Sequence, residues 1–362
     1  MAYYRVFLLF LTFIFYSMTV SADSDHPDKS LIWSGYAKIE DVYNVRGGIK
    51  QGSVLNGVGA IKSTLNTEAA QLWSGGQFTL GILGIVSTHN QSFYTGAIQT
   101  VSNLSAQSLL RLSDFAYEQT VTETTKIRLG VMDINNYFNV TEAASGLLNS
   151  AFGVCPILSA NMPVATYPYS GYGAIIDVTT NPLEMQLGIF QGNPQHLHTV
   201  FYNGYTLIGE IVGHLDPNQK SGSDIILKGG AWHYAQSNPT IGHNTDGLYV
   251  IAERIWKNTE NQQRGVFLQL GSAPKKTNTV PYYFGGGFNT TALFPERASD
   301  VLSLGFTQVR VRGASAETIF EITYAIQLAN KFSLIPDLQY VLNPAGIYRN
   351  AIVGMLRLSF TP

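Results

Sequence analysis

The feature that most constrains this chain is a two-residue alternation of apolar and polar side chains that recurs along nearly its whole length. In Ala316–Leu328, Phe320, Ile322, Tyr324, Ile326 and Leu328 fall on one face, and Glu317, Glu321, Thr323 and Gln327 on the other. In Arg349–Phe360, Ile352, Leu356, Leu358 and Phe360 oppose Arg349, Arg357 and Ser359. Leu183, Met185, Leu187 and Ile189 oppose Glu184 and Gln186, and Ile127, Leu129 and Val131 oppose Lys126 and Arg128. Phe332, Leu334, Leu338 and Tyr340 oppose Lys331, Ser333, Asp337 and Gln339. A period of two is the signature of a strand with one apolar face; a helix would scatter these charges around its circumference. Turn signals separate the segments: Asn181-Pro182, Asp216-Pro217-Asn218, Ser221-Gly222-Ser223, Asn258 to Gln263 and Asn343-Pro344.

Composition decides where such strands belong. Charged residues make up 13% of the chain, about half the roughly 25% of soluble domains. There are 35 glycines, 20 tyrosines and 19 phenylalanines, yet mean hydropathy is close to zero. Beyond the N-terminus no run of apolar residues is long enough for a membrane helix of ~20 residues. Strands with one apolar and one polar face satisfy both facts when closed into a barrel, because in lipid only helices and closed barrels pair every backbone group. The expected fold is therefore all-β: a transmembrane antiparallel β-barrel of about 16 strands, the even count usual for bacterial barrels.

The first residues, MAYYRVFLLFLTFIFYSMTVSADSD, carry Arg5 before an apolar stretch to Tyr16 and end on small residues at Val20-Ser21-Ala22. This is the pattern of a signal peptide cleaved after Ala22, leaving residues 23–362, or 362 − 22 = 340 residues, as one domain. Such a leader exports the chain, and together with the expected barrel it points to the bacterial outer membrane, with outer-membrane lipid around the mature chain. Cys155 is alone, so no intrachain disulfide forms. Net charge is 22 − 24 = −2, without a basic run, which argues against nucleic acid as a partner.

One stretch breaks the rhythm. Asn135 to Thr166 runs without clean alternation, and Thr141 is placed to cap a short helix starting at Glu142. A long irregular segment in a barrel is expected to fold into the lumen; an extracellular loop is the alternative. The ladder bonds should close the barrel without it.

Several segments resemble the carbohydrate-selective porins, the OprB-type family. They are Gly130-Val131-Met132-Asp133 continuing to Phe138, Leu148 to Gly153 with Pro156, and Tyr167-Pro168 with Gly171 and Gly173. Arg297 with Asp300, Glu321 with Tyr324, and Pro336-Asp337-Leu338-Gln339-Tyr340-Val341 before Asn343-Pro344 extend the likeness over residues 31–362. Family members read NPGG after PDLQYV, and Ala345 here replaces the first glycine, which should stiffen the turn. The resemblance implies a sixteen-stranded porin for passive diffusion of sugars or similar small polar solutes. Thr361 and Pro362 follow Phe360, where such barrels commonly end on an aromatic residue.

Charges on the lipid face cost a few kcal/mol at mid-depth, so Arg128, Glu184, Gln186, Glu321, Asp337, Gln339 and Arg357 are pore-lining candidates, each equally compatible with a place above or below the bilayer. Asn149 and Ser150 are the constriction-loop candidates, because their polar groups can hydrogen-bond a passing sugar. Glu321 and Arg357 should face the lumen, Ile322 and Leu356 the lipid. Mixed cations and carboxylates suit neutral polyols, whereas a phosphate pore would need a basic excess. Trp33, Trp73, Trp232 and Trp256 fit an interfacial girdle better than a sugar platform.

No cofactor, metal site or catalytic residue is expected. His196 and His198 form an HLH pair without an acid or cysteine close by in sequence. Glu317 and Glu321 would stand about 13 Å apart by strand rise, beyond the ~5–9.5 Å of glycosidase pairs. A secreted β-rich lectin or hydrolase and an outer-membrane barrel enzyme remain the alternatives to a channel, and a homo-oligomer is as compatible with the pattern as a monomer.

Overall fold

The computed structural model describes residues 29–90, 92–197, 204–216, 223–236, 243–257 and 262–362. The expected leader, 1–22, and His198 lie outside them. The alternating segments become sixteen antiparallel strands: Leu31–Gly48 (β1), Gly52–Asn66 (β2), Gly76–Ser87 (β3), Leu109–Thr120 (β4), Thr125–Met132 (β5), Gly171–Thr180 (β6), Leu183–Gln191 (β7), Tyr205–His214 (β8), Ser223–Ala235 (β9), Thr245–Lys257 (β10), Gln263–Ser272 (β11), Tyr282–Thr291 (β12), Val301–Arg310 (β13), Ala316–Ala329 (β14), Phe332–Leu342 (β15) and Arg349–Phe360 (β16). Each pairs with its neighbours in sequence, and β1 pairs with β16, so the sheet closes into a barrel. At the seam Ile39 stands opposite Leu358, Glu40 opposite Arg357 and Asp41 opposite Leu356. Closure removes the edge strands that lipid could not satisfy.

Parity sorts side chains as the alternation required. Ile322, Leu356, Leu358 and Phe320 are exposed on the outside, while Glu321 and Arg357 are buried inside. The outer apolar surface is the belt expected of a barrel in lipid. Phe360 stacks on Phe332 across β15 and β16, with ring centroids 4.8 Å apart, and the Thr361 amide donates to the Lys331 carbonyl. The two residues after Phe360 therefore leave it in the outward register. Trp33 and Trp73 are exposed outside, and the Trp73 indole donates to the Tyr117 hydroxyl at 2.9 Å. Trp232 departs from the girdle expectation: it points inward and is buried, in the space that a side chain at Gly247 would fill.

Connections after even-numbered strands are short, and the start of β1 and the end of β16 lie on that side. The longest connections, 88–108 and 133–170, follow β3 and β5 at the other end. Residues from both turn into the barrel. Phe138, Ala151, Cys155, Ile157 and Leu158 form a buried core with Phe190, Ile208, Trp232, Tyr249 and Ile251 of the wall. Val101 and Leu148 pack on Val42, Ile319, Val341 and Val353. Much of the interior is thus apolar and filled: strand pairing alone closes the barrel, but removing the segment would strip cover from these inward-facing wall residues, at roughly 25 cal/mol for each Å² exposed.

Thr141 does precede a short helical turn, Glu142–Ala144, but its side chain does not cap it. Its hydroxyl instead accepts from Gln269 Nε2 at 2.7 Å. The turn after β15 places Asn343, Ala345 and Gly346 at φ of 49°, 52° and 74°. Ala345 therefore strains this turn rather than stiffening it, because a Cβ disfavours the left-handed region that the family's glycine adopts freely.

Candidate functional site

The interior site is built from two inserted segments and the strand carboxylates that hold them. Glu317 on β14 accepts the backbone N–H groups of Ile98 (2.9 Å), Gln99 (2.8 Å) and Ala345 (2.6 Å). Glu321, two inward positions further along β14 and past Ile319, accepts those of Leu148 (2.5 Å) and Asn149 (3.2 Å). Glu253 on β10 accepts the Ala143 amide at 3.0 Å and pairs with Lys228 at 3.2 Å. Glu210 on β8 accepts the Asn139 amide at 2.9 Å and the Tyr249 hydroxyl at 2.6 Å. Each bond of an amide to a carboxylate contributes about 1.5–3 kcal/mol. The dependence is mutual, since a buried carboxylate without donors would be costly.

The two segments also hold each other. The Asn103 amide donates to the Leu148 carbonyl at 2.7 Å, and the Ser150 amide to the Thr100 carbonyl at 2.9 Å. The Tyr167 hydroxyl donates to the Leu104 carbonyl at 2.9 Å. Sequence reading singled out only 135–166. It passed over 96–105, and with it the carboxylates Glu40, Glu210 and Glu253.

Of the residues expected in the pore, Glu321, Asp337, Gln339 and Arg357 lie together on β14 to β16 and point inward, but they are only 0–6% exposed. They sit beneath the inserted segments: Gln339 Nε2 donates to the Val101 carbonyl at 2.7 Å and to Asp337 Oδ1 at 3.1 Å. Gln339 Oε1 accepts from Asn149 Nδ2 at 3.0 Å, and Asn149 is itself fully buried. Ser150 borders open space. Arg128 on β5 pairs with Glu118 and Asp177 and lies 4.9 Å from the Tyr137 ring centroid. Gln186 is half-buried on β7, opposite Glu210 of β8. Glu184 stands at the far end of β7, 3.6 Å from His214. Arg128, Gln186 and Glu184 are not brought together with the β14–β16 group.

Open space remains between the β1–β4 wall and the segments. One cavity of about 410 Å³ is bordered by Tyr36 and Lys38 of β1 and by Thr100, Asn103, Ser150 and Tyr167 of the segments. A second, of about 350 Å³, is bordered by Ser34, Tyr36, Lys62, Asp114, Asn136 and Tyr167. The two share Tyr36 and Tyr167. Lys62 pairs with Asp114 at 3.1 Å. The inward parity of Tyr36, Lys38 and Glu40 on β1 was the sequence signal for this wall. Among the described residues no group of three or more His, Cys, Asp or Glu is placed to hold a metal ion.

A family model described as "Carbohydrate-selective porin, OprB family" matches residues 68–238 and 218–361. The chain belongs to this family. A high-pH structure of Pseudomonas putida OprB superposes with a TM-score of 0.82 at 18% identity, covering 92% of this chain and 95% of that one. A low-pH structure of the same porin gives 0.62 at 16% identity, covering 92% and 93%. A mutant of Rhodopseudomonas blastica porin gives 0.59 at 12% identity, covering 92% and 100%. No curated protein matches by sequence. Family and barrel together make the chain a carbohydrate-selective porin of the bacterial outer membrane.

Proposed function

We propose that the solute path runs between the β1–β4 wall and the inserted segments, narrowing at Tyr36 and Tyr167. The observation that supports this is that the two cavities have these two residues in common, while the β7–β13 side of the lumen is packed with apolar side chains. A tyrosine ring offers an apolar face to a pyranose, and its hydroxyl is a donor and acceptor. Thr100, Asn103, Asn135 and Ser150 add hydroxyls and amides within reach of sugar hydroxyls. Arg128, paired and turned toward Tyr137, belongs to the same side; the four buried residues of β14 to β16 act by fixing the segments that shape the path. In this reading the leader is cleaved after Ala22, residues 23–362 sit in outer-membrane lipid, and the chain performs no covalent chemistry.

The test is single-channel conductance and liposome swelling with a series from monosaccharides to trisaccharides. Tyr167→Ala and Tyr36→Ala should raise conductance and admit larger sugars. Unchanged conductance and size cutoff in both folded variants would move the constriction elsewhere. Release of the protein as a soluble species would favour a secreted binding protein.

A further inference from the structure

Lys38 is the one ionised side chain bordering the cavity of about 410 Å³; the rest of the lining is hydroxyl, amide, phenol or apolar. Among the described residues it makes no ion pair, and its Nζ lies 4.9 Å from the Tyr36 ring centroid. The nearest acid along its own face is Glu40, two residues away, and that carboxylate is already committed. Glu40 Oε2 takes Arg357 Nη2 at 2.7 Å and Nε at 2.8 Å, and Oε1 accepts from Ser102 Oγ at 2.5 Å and Asn56 Nδ2 at 2.9 Å. Arg357 cancels Glu40, so the charge of Lys38 stands uncompensated in the cavity. The neighbouring cavity differs: there Lys62 pairs with Asp114, and a second carboxylate, Asp133, lies on the lining.

Building on the path proposed above, we infer that the cavity at Lys38 is a subsite for sugars carrying a carboxylate, such as uronates, and that this porin favours them over neutral sugars. A carboxylate at Lys38 leaves the hydroxyls of the same molecule facing Thr100, Asn103, Asn135 and Ser150. Tyr36, beside the ammonium, supplies a ring face for the pyranose. Lys38 is half-buried, which limits solvent screening of the ammonium, so the charge discriminates where the path is narrow.

The test is block of single-channel current by glucuronate and by glucose, together with reversal potential in a potassium chloride gradient. Wild type should be anion-selective, and glucuronate should half-block at about a tenfold lower concentration than glucose, the scale of one partly screened charge at close range. Lys38→Gln should bring the two half-blocking concentrations within about twofold and move the reversal potential toward cation selectivity. Lys38→Arg, which keeps the charge, should keep the preference, and Lys331→Gln, in the turn after β14, should leave both readouts at wild-type values. Equal block by the two sugars in wild type would overturn the subsite while leaving the channel intact. A folded protein that conducts no ions in the bilayer would instead overturn the channel path on which the subsite rests. If Lys38→Gln does not fold, the wild-type ratio and reversal potential still decide the matter.

Discussion

Glu40 and Arg357 face each other across the seam that closes the barrel, in register between the first and last strands, with the guanidinium Nη2 2.7 Å from the carboxylate. Both side chains are buried. Ser102 and Asn103 of the first inserted segment bond to the same pair, at 2.5 Å to Glu40 and 2.9 Å to Arg357. One ion pair thus joins strand closure to segment placement.

Removing one partner leaves a buried charge without its counter-ion. Arg357→Met should therefore destabilise the folded barrel by about 3–5 kcal/mol, and the double variant Glu40→Leu with Arg357→Met by markedly less. The denaturant midpoint for loss of the heat-modifiable band measures both. Equal loss in the single and double variants would show that the pair is not the stabilising unit.

Glu321 receives two backbone N–H groups of the inserted segment. Glu321→Gln turns one acceptor into a donor facing those donors, so the segment around Asn149 should loosen and channel conductance should rise. Cys155 gives an independent readout. It is fully buried in the interior core, and burial pushes its thiol up to about 12, so it should resist maleimide in the folded wild type. Labelling at neutral pH should increase at least about tenfold in Glu321→Gln, following the population of the opened segment. Unchanged labelling and conductance would mean that Glu321 does not hold the segment.

Ala345 sits at φ 52°. Replacing it with glycine removes a left-handed strain of about 1–2 kcal/mol and adds about 0.4–1 kcal/mol of unfolded-state entropy. Ala345→Gly should raise stability by up to about 1 kcal/mol, read from the same denaturant midpoint. A lower midpoint would sink the strain argument.

In the turn before β13, Asp300 accepts from Arg297 Nε at 2.8 Å, from the Tyr324 hydroxyl at 2.9 Å and from the Gln327 amide at 2.9 Å. Desolvation pushes its carboxyl up, but Arg297 and these donors outweigh it and hold it below the ordinary 3.8. A depressed folded value means that the carboxylate stabilises the turn at neutral pH, fully so above the unfolded value, and that this is lost as pH falls through the folded one. Pepsin should leave the Leu293–Phe294 turn intact at about pH 4 and cut it at lower pH, whereas Asp300→Asn should be cut across the whole range. Cleavage of the two at the same pH would remove Asp300 from this role.

The strands were legible because a one-residue slip would put Glu321 or Arg357 into lipid, so the period had to be strict. The same logic placed Ile322 and Leu356 outside. Trp232 was misjudged because an aromatic residue in a barrel strand fits either the girdle or a filled interior, and only the packing partner decides which. Residues 96–105 escaped notice because nothing in Ile98 to Asn103 sets them apart in sequence from a short strand, although the chain bends and turns there. The site was less legible than the fold: Lys38 shares a face with Tyr36 and Glu40 on β1, but that it lacks an acid follows only from where Arg357 lands. Glu321, Asp337, Gln339 and Arg357 read as polar wall residues, and their burial depends on chain that arrives from 170 or more positions away.

Glu210, Glu253, Glu317 and Glu321 grip the inserted chain through backbone amide hydrogens, with the Gln99 side chain adding a bond to Glu317 at 3.2 Å. Because this grip is mostly on the backbone, the residues that face the cavity, such as Thr100, Asn103 and Ser150, can be exchanged across descendants of this barrel while the segments keep their course, and solute preference can drift without refolding the protein. One exclusion is checkable: proline, which has no amide hydrogen, should be missing at Ile98, Gln99, Asn139, Ala143, Leu148 and Asn149.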